Sequence, residues 1–299
     1  MTEDEWLTCD DPTPMLSALE GPPTTATFEA WGQSFATTVY ESHLISERKA
    51  RLFGIACCRC FADLYDEARC QRVIDYGVQA TVFEDYGLVV PTSDCCLMAI
   101  EGAERITEEG GSSEQLAPLI EGAAALHRAG GIYAASHDQT DDYEHLLVAT
   151  SQIAFALQQL CSDLTTRTGV LGNQIGGAYG SLAGIVWNTA QAAAFQKGLS
   201  FVMRMSGGDP ENRTLNAMLL RDIVGNPFRP FSVDPAWLTS TVVTLATGIY
   251  EQRAFDRMPI LADALQDAGC EDADILNHCR GGGPHVRGCW VVDLLLGKS

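Results

Sequence analysis

Twelve residues near the C-terminus, HCRGGGPHVRGC from His278 to Cys289, hold two imidazoles and two thiols. These are the borderline-soft nitrogen and sulfur donors that a tetrahedral zinc ion takes, so His278, Cys279, His285 and Cys289 form a candidate metal set. Their spacing argues the other way. Adjacent ligands at His278 and Cys279 rarely point at one ion, and Cys-x9-Cys lacks the tight knuckle of known zinc fingers. The alternative that the spacing favours makes Gly281 to Gly283 a loop between helices, with Cys279 and Cys289 as small buried apolar residues. The same stretch also reads as an anion site. A glycine-rich turn running into Pro284 at a helix start would expose unpaired backbone N–H groups, with Arg280, His285 and Arg287 around them. Against this stands ordinary ion pairing of the arginines with Asp272, Asp274 or Asp293, which carries more weight.

A second constellation is HDQTDDYEH, from His137 to His145. On a continuous helix His137, Asp141 and His145 share a face, where they could hold a divalent metal with Glu144 as base. If the helix begins near Thr140, His137 leaves that face and the acids simply favour the helix dipole. Cys57 and Cys60 have a C-x-x-C spacing but no βαβ context, and one helix is poor geometry for a disulfide; buried packing is the expectation. Asn226 to Pro230 (NPFRP) and Trp237 read as a rigid turn with aromatic anchors, packed on the core in preference to forming a docking surface. No nucleophile elbow, kinase signature, HExxH or phosphate loop occurs.

These residues must be positioned by helices, because apolar residues recur at helical spacing along most of the chain. Ser46 to Tyr65 opens with an N-cap serine and puts Leu52, Ile55, Ala56, Arg59 and Cys60 at helical spacing. Helices are expected over Asp66–Val78, Ser93–Glu108, Ser113–Ala129, Thr140–Asp163, Arg213–Val224, Thr241–Tyr250, Pro259–Ala268, Asp272–Cys279 and from Pro284 through Leu296. The Gly- and Ala-rich Gly169–Leu199 suits close helix packing. Leu88–Val90 is the lone strand-like scrap. The fold class is therefore all-α, a multi-helix globular bundle with an acidic middle.

Charge narrows the partners. The chain has 299 residues, with 39 acidic against 19 Lys and Arg, a net charge of −20. A protein that neutralises phosphates needs a basic face, so nucleic acid is excluded as a partner, and adhesion to anionic lipid is disfavoured. Acid concentrates between Glu84 and Glu144, with thirteen acidic residues against two basic ones, whereas His278 to Lys298 is locally cationic. Eleven cysteines, an acidic N-terminus without a signal-peptide core and no long apolar run point to a reducing cytoplasm.

Particular strings carry a resemblance. MTEDEWLTCDDPTPMLSAL, RKARLFGIACCRC, LLRDIVGNPFRP, DPAWLT, FDRMPILADALQDAGCEDADILNHCR and PHVRGCWVVDLLLGK resemble an uncharacterised paralogous family of planctomycete-type bacterial proteins. The resemblance covers residues 1–19, 46–75 and 219–299, with Glu20 to Ile45 reading as an insertion. It carries over no functional residues. It implies one helical domain over 1–299, divisible into a scaffold (1–80 with 210–299) and a variable helical insert (81–209), a layout suited to presenting different surfaces. The expectation is a non-catalytic helical protein that binds another protein, without a cofactor. The rival is an enzyme or sensor using a metal, zinc above all, or a small phosphate-like anion at His278–Cys289, reaching Arg59 or Arg229.

Overall fold

A computed structural model of the chain describes residues 1–19, 23–30, 33–40, 45–61, 67–110, 113–136, 189, 192 and 209–298. It is helical, as the periodicity requires. In chain order the elements are α1 (Glu3–Thr8), α2 (Pro12–Leu19), β1 (Pro23–Ala30), β2 (Gln33–Tyr40), α3 (Glu47–Arg59), α4 (Glu67–Gln79), α5 (Val82–Asp85), α6 (Cys95–Glu109) and α7 (Ala117–Ser136). They continue with α8 (Pro210–Val224), α9 (Ser240–Gln252), α10 (Met258–Asp267), α11 (Ala273–Arg280) and α12 (Trp290–Leu296). The candidate helices Thr140–Asp163 and, apart from two residues, Gly169–Leu199 lie outside the described residues. None of the described helices is long and apolar enough to cross a membrane.

Local chemistry sets the boundaries. Thr2 and Glu5 form a reciprocal capping box that starts α1. Ser46 caps α3, Asp209 caps α8 ahead of Pro210, and Asp272 caps α11 through the Asp274 and Ile275 amides. Two elements depart from the periodicity. An antiparallel hairpin joins β1 to β2, in register from Pro23 opposite Tyr40 to Ala30 opposite Gln33; its Thr-rich strands suit a pleated ribbon. The last helix begins at Trp290 and not at Pro284. Gly288 takes φ +96°, and a Cβ there would meet Leu52 Cδ1 at 2.9 Å, so only glycine lets the chain turn against α3 before α12 starts.

Burial divides into two cores. The first gathers Trp6, Met15, Leu19, Leu52, Phe53, Ile100, Leu126 and, from α8, Leu220 and Ile223. The second gathers Val242, Ile249, Met258, Leu261, Leu265, Cys279, Cys289, Trp290, Val292 and Leu295. Each fully buried large side chain contributes roughly 1.5–3 kcal/mol. Helix α8 bridges the two, touching α2 and α3 on one side and α12 on the other. Trp6 Nε1 donates to the Gly225 carbonyl at 3.0 Å, and the Trp290 ring also lies against Gly225.

A polar layer completes the junction. Arg48 of α3 pairs with Asp293 of α12 at 2.7 Å, with Glu108 of α6 at 2.8 Å, and donates to the Tyr250 hydroxyl at 2.7 Å. Lys298 reaches Glu108 at 3.2 Å. Burial pushes the Asp293 carboxyl above its ordinary value despite the Arg48 hydrogen bond and charge. Burial acts the same way on Glu104, but the Arg253 hydrogen bond and the charges of Arg59 and Arg253 outweigh it and hold that carboxyl below its ordinary value.

Candidate metal centre

Asp222 sits in the last turn of α8, buried between the two cores. This is a costly place for a carboxylate, since the helix dipole is negative there and water is excluded. Counter-charge comes from the far end of the chain. His278, in the last turn of α11, brings Nε2 to 3.2 Å from Asp222 Oδ1. The loop that follows carries His285, whose Nδ1 lies 2.7 Å from the same oxygen. The Val286 N–H donates to Asp222 Oδ2 at 2.9 Å and fixes the carboxylate's orientation. After the turn at Gly288, Cys289 stands at the N-terminus of α12 with Sγ 3.2 Å from His278 Nε2.

The four side chains offer one donor atom each, and these atoms all lie within 4.8 Å of one another. A tetrahedral zinc ion with bonds of about 2.0–2.3 Å spaces its ligands roughly 3.2–3.7 Å apart; the two His278 separations of 3.2 Å match this, whereas His285 Nδ1 lies closer to Asp222, at 2.7 Å. The electrostatics also suit a cation. Burial raises the Asp222 carboxyl, but the hydrogen bonds and charges of His278 and His285 outweigh it and keep the group below its ordinary value. Burial pushes the Cys289 thiol well above its ordinary range, so an ion here would have to displace its proton. His285 faces the cluster through Nδ1, while its Nε2 is buried without a hydrogen-bond partner. His278 and His285 stand edge to face at 4.8 Å between ring centroids, and Trp290 closes over His278 at 5.1 Å.

Three of the four candidate ligands from the C-terminal segment are thus brought together: His278, His285 and Cys289. Cys279 does not join them. It is fully buried in the second core, where burial lifts its thiol to about 12. Asp222 takes the fourth position. It lies far upstream in sequence, and its trace there is a carboxylate inside the apolar run LLRDIV.

The anion set of Arg280, His285 and Arg287 is dispersed. Arg280 pairs with Asp263 at 2.9 Å and with Gln266, both on α10. Arg287 turns to Glu104 at 3.1 Å and to the carbonyls of Tyr250 and Glu251. His285 belongs to Asp222, and with no helix starting at Pro284 the expected row of free amides is not formed there. Arg229 pairs with Glu3 at 2.6 Å, and the NPFRP turn is tied to α1 by Asn226 and Glu3. Trp237 packs on the second core. Cys57 is buried and Cys60 exposed, and none of the ten described cysteines is in a disulfide. His137, Asp141, Glu144 and His145 lie outside the described residues.

No protein-family model, no curated protein and no solved structure matches this chain.

Proposed function

We propose that this chain is a metal-binding protein that holds one zinc-class ion through Asp222, His278, His285 and Cys289, in a structural and non-catalytic role. The observation that carries the proposal is the convergence of those four donors within 4.8 Å at a buried junction. Two imidazoles, a thiolate and a carboxylate suit zinc better than the hard cations, which prefer all-oxygen cages. Four protein ligands fill a tetrahedron and leave no position for a substrate or an activated water, which is the mark of a structural site. The ion would fasten α8 to α11, to the 281–289 loop and to α12, joining one core to the other. The lack of disulfides among the described cysteines fits a reducing compartment such as a bacterial cytoplasm.

Elemental analysis of the purified chain tests this. About one zinc per chain is expected, falling to trace levels in His278→Ala and Asp222→Asn but retained in Cys279→Ser. Metal-free protein that takes up no zinc, or a content unchanged by both ligand substitutions, would overturn the proposal.

A further inference from the structure

Three guanidinium groups from three separate elements meet on one carboxylate, Glu104 of α6. Arg287 reaches Oε1 at 3.1 Å, while Nη2 of Arg59 and Nη2 of Arg253 both contact Oε2. Arg59 ends α3 and Arg253 lies just past α9, so the α3, α6 and α9 ends and the 281–289 loop build this place together. The local charge does not balance. Among the described residues three cations face one anion, on a chain whose net charge is −20. In the adjoining layer the ion-paired groups do balance, with Arg48 and Lys298 against Glu108 and Asp293.

The arginines also have donors to spare. Each guanidinium carries five N–H donors. Arg59 and Arg253 each spend Nη2 on Glu104 and have no other ion pair or hydrogen bond among the described residues. The Nε atoms of Arg59 and Arg287 are buried without partners. Glu104 is 4% exposed and forms the floor, whereas Arg59 at 32% and Arg253 at 41% stand open to solvent. A buried carboxylate thus holds a rim of guanidinium forks, and planar forks are the shape that takes phosphate oxygens in pairs.

From this we propose that the Arg59, Arg253 and Arg287 cluster around Glu104 binds a small phosphate-class dianion, as inorganic phosphate or a phosphate monoester. An anion of charge near −2 matches the local excess of two. A large polyanion does not fit the surroundings, because the field of an acidic protein repels it beyond the roughly 8 Å reach of an unscreened local charge. Arg59 and Arg253 touch none of the four proposed metal ligands, whereas Arg287 stands in the loop between His285 and Cys289, so the substitutions that test the anion site are made at Arg59 and Arg253.

The test is calorimetric and thermal titration of the full chain with inorganic phosphate, with phenyl phosphate as the monoester arm and sulfate as a dianion that does not precipitate zinc. Potassium chloride at matched ionic strength is the control, and zinc content is measured alongside. Saturable binding with a rise in Tm is expected for at least one phosphate arm. It should weaken roughly tenfold or more in Arg59→Ala and in Arg253→Gly, the effect of losing a charge-assisted hydrogen bond. Glycine at 253 keeps the fold testable, since Arg253 stands at φ +53° where glycine is at ease. Arg280→Ala should bind as the parent does, and metal-free His278→Ala should still bind phosphate if it folds. No saturable binding by about 10 mM phosphate, or affinity unchanged in both Arg59→Ala and Arg253→Gly, would overturn the proposal.

Discussion

Stripping the metal with a strong chelator should lower Tm by roughly ten degrees, and restoring zinc should bring it back. The expectation follows from where the ligands sit. Asp222 belongs to α8, whose Leu220 and Ile223 lie in the first core, while Cys289 belongs to the second. An ion bound at a thousand times its dissociation constant stabilises the folded state by about 4 kcal/mol. In chains of this size each kcal/mol shifts Tm by roughly 2–4 °C. Two effects would add to the loss. Without the cation, a carboxylate at the negative end of a helix keeps only two imidazoles and the Val286 amide as partners, and Cys289 reverts to a buried thiol. His278→Ala should show the lowered Tm from the outset and be indifferent to chelator. A parent chain whose Tm moves by less than about 1 °C on chelation would show that the ion, if bound, carries no structural load.

Arg48→Met is expected to cost about 3–5 kcal/mol in denaturant unfolding, and Asp293→Leu added to it should recover much of that loss. Asp293 is 1% exposed, and Arg48 meets it with both Nη groups, at 2.7 and 3.4 Å. Removing the arginine leaves a carboxylate buried without its cation, and burial already pushes that group above its ordinary value. Removing both partners leaves an apolar contact between α3 and α12, which is tolerated far better than half a pair. The double-mutant cycle isolates the coupling between the two cores. If the two substitutions simply add, the pair contributes nothing beyond its separate members.

Much of the fold is legible in the order of residues, because its helices announce themselves through spacing and caps. Ser46 before the apolar beat of Leu52, Ile55 and Ala56 marks α3, and Gly269 marks the end of α10. The 23–40 hairpin is not legible in the same way, since its alternation is weak and Thr and Ala serve in either structure. The start of α12 is displaced by tertiary bonding. The Val286 N–H goes to Asp222, and Gly288 takes a positive φ that no helix residue adopts, so the helix starts only after it.

The candidate site is half legible for a comparable reason. His278, His285 and Cys289 are close in sequence and meet in space. Cys279 is the neighbour of His278, and about 100° of helix rotation per residue carries it into the core. Asp222 and the Arg59, Arg253 and Glu104 group come together only when distant helices pack, and no local spacing encodes that.

Cobalt(II) substitution reads the metal site itself, because the visible spectrum reports both coordination geometry and sulfur ligation. One equivalent of cobalt should give an intense tetrahedral spectrum with a sulfur-to-metal charge-transfer band. That band should vanish in Cys289→Ser and persist in Cys279→Ser. A weak octahedral spectrum, or a thiolate band that follows Cys279, would contradict a closed site built from Asp222, His278, His285 and Cys289.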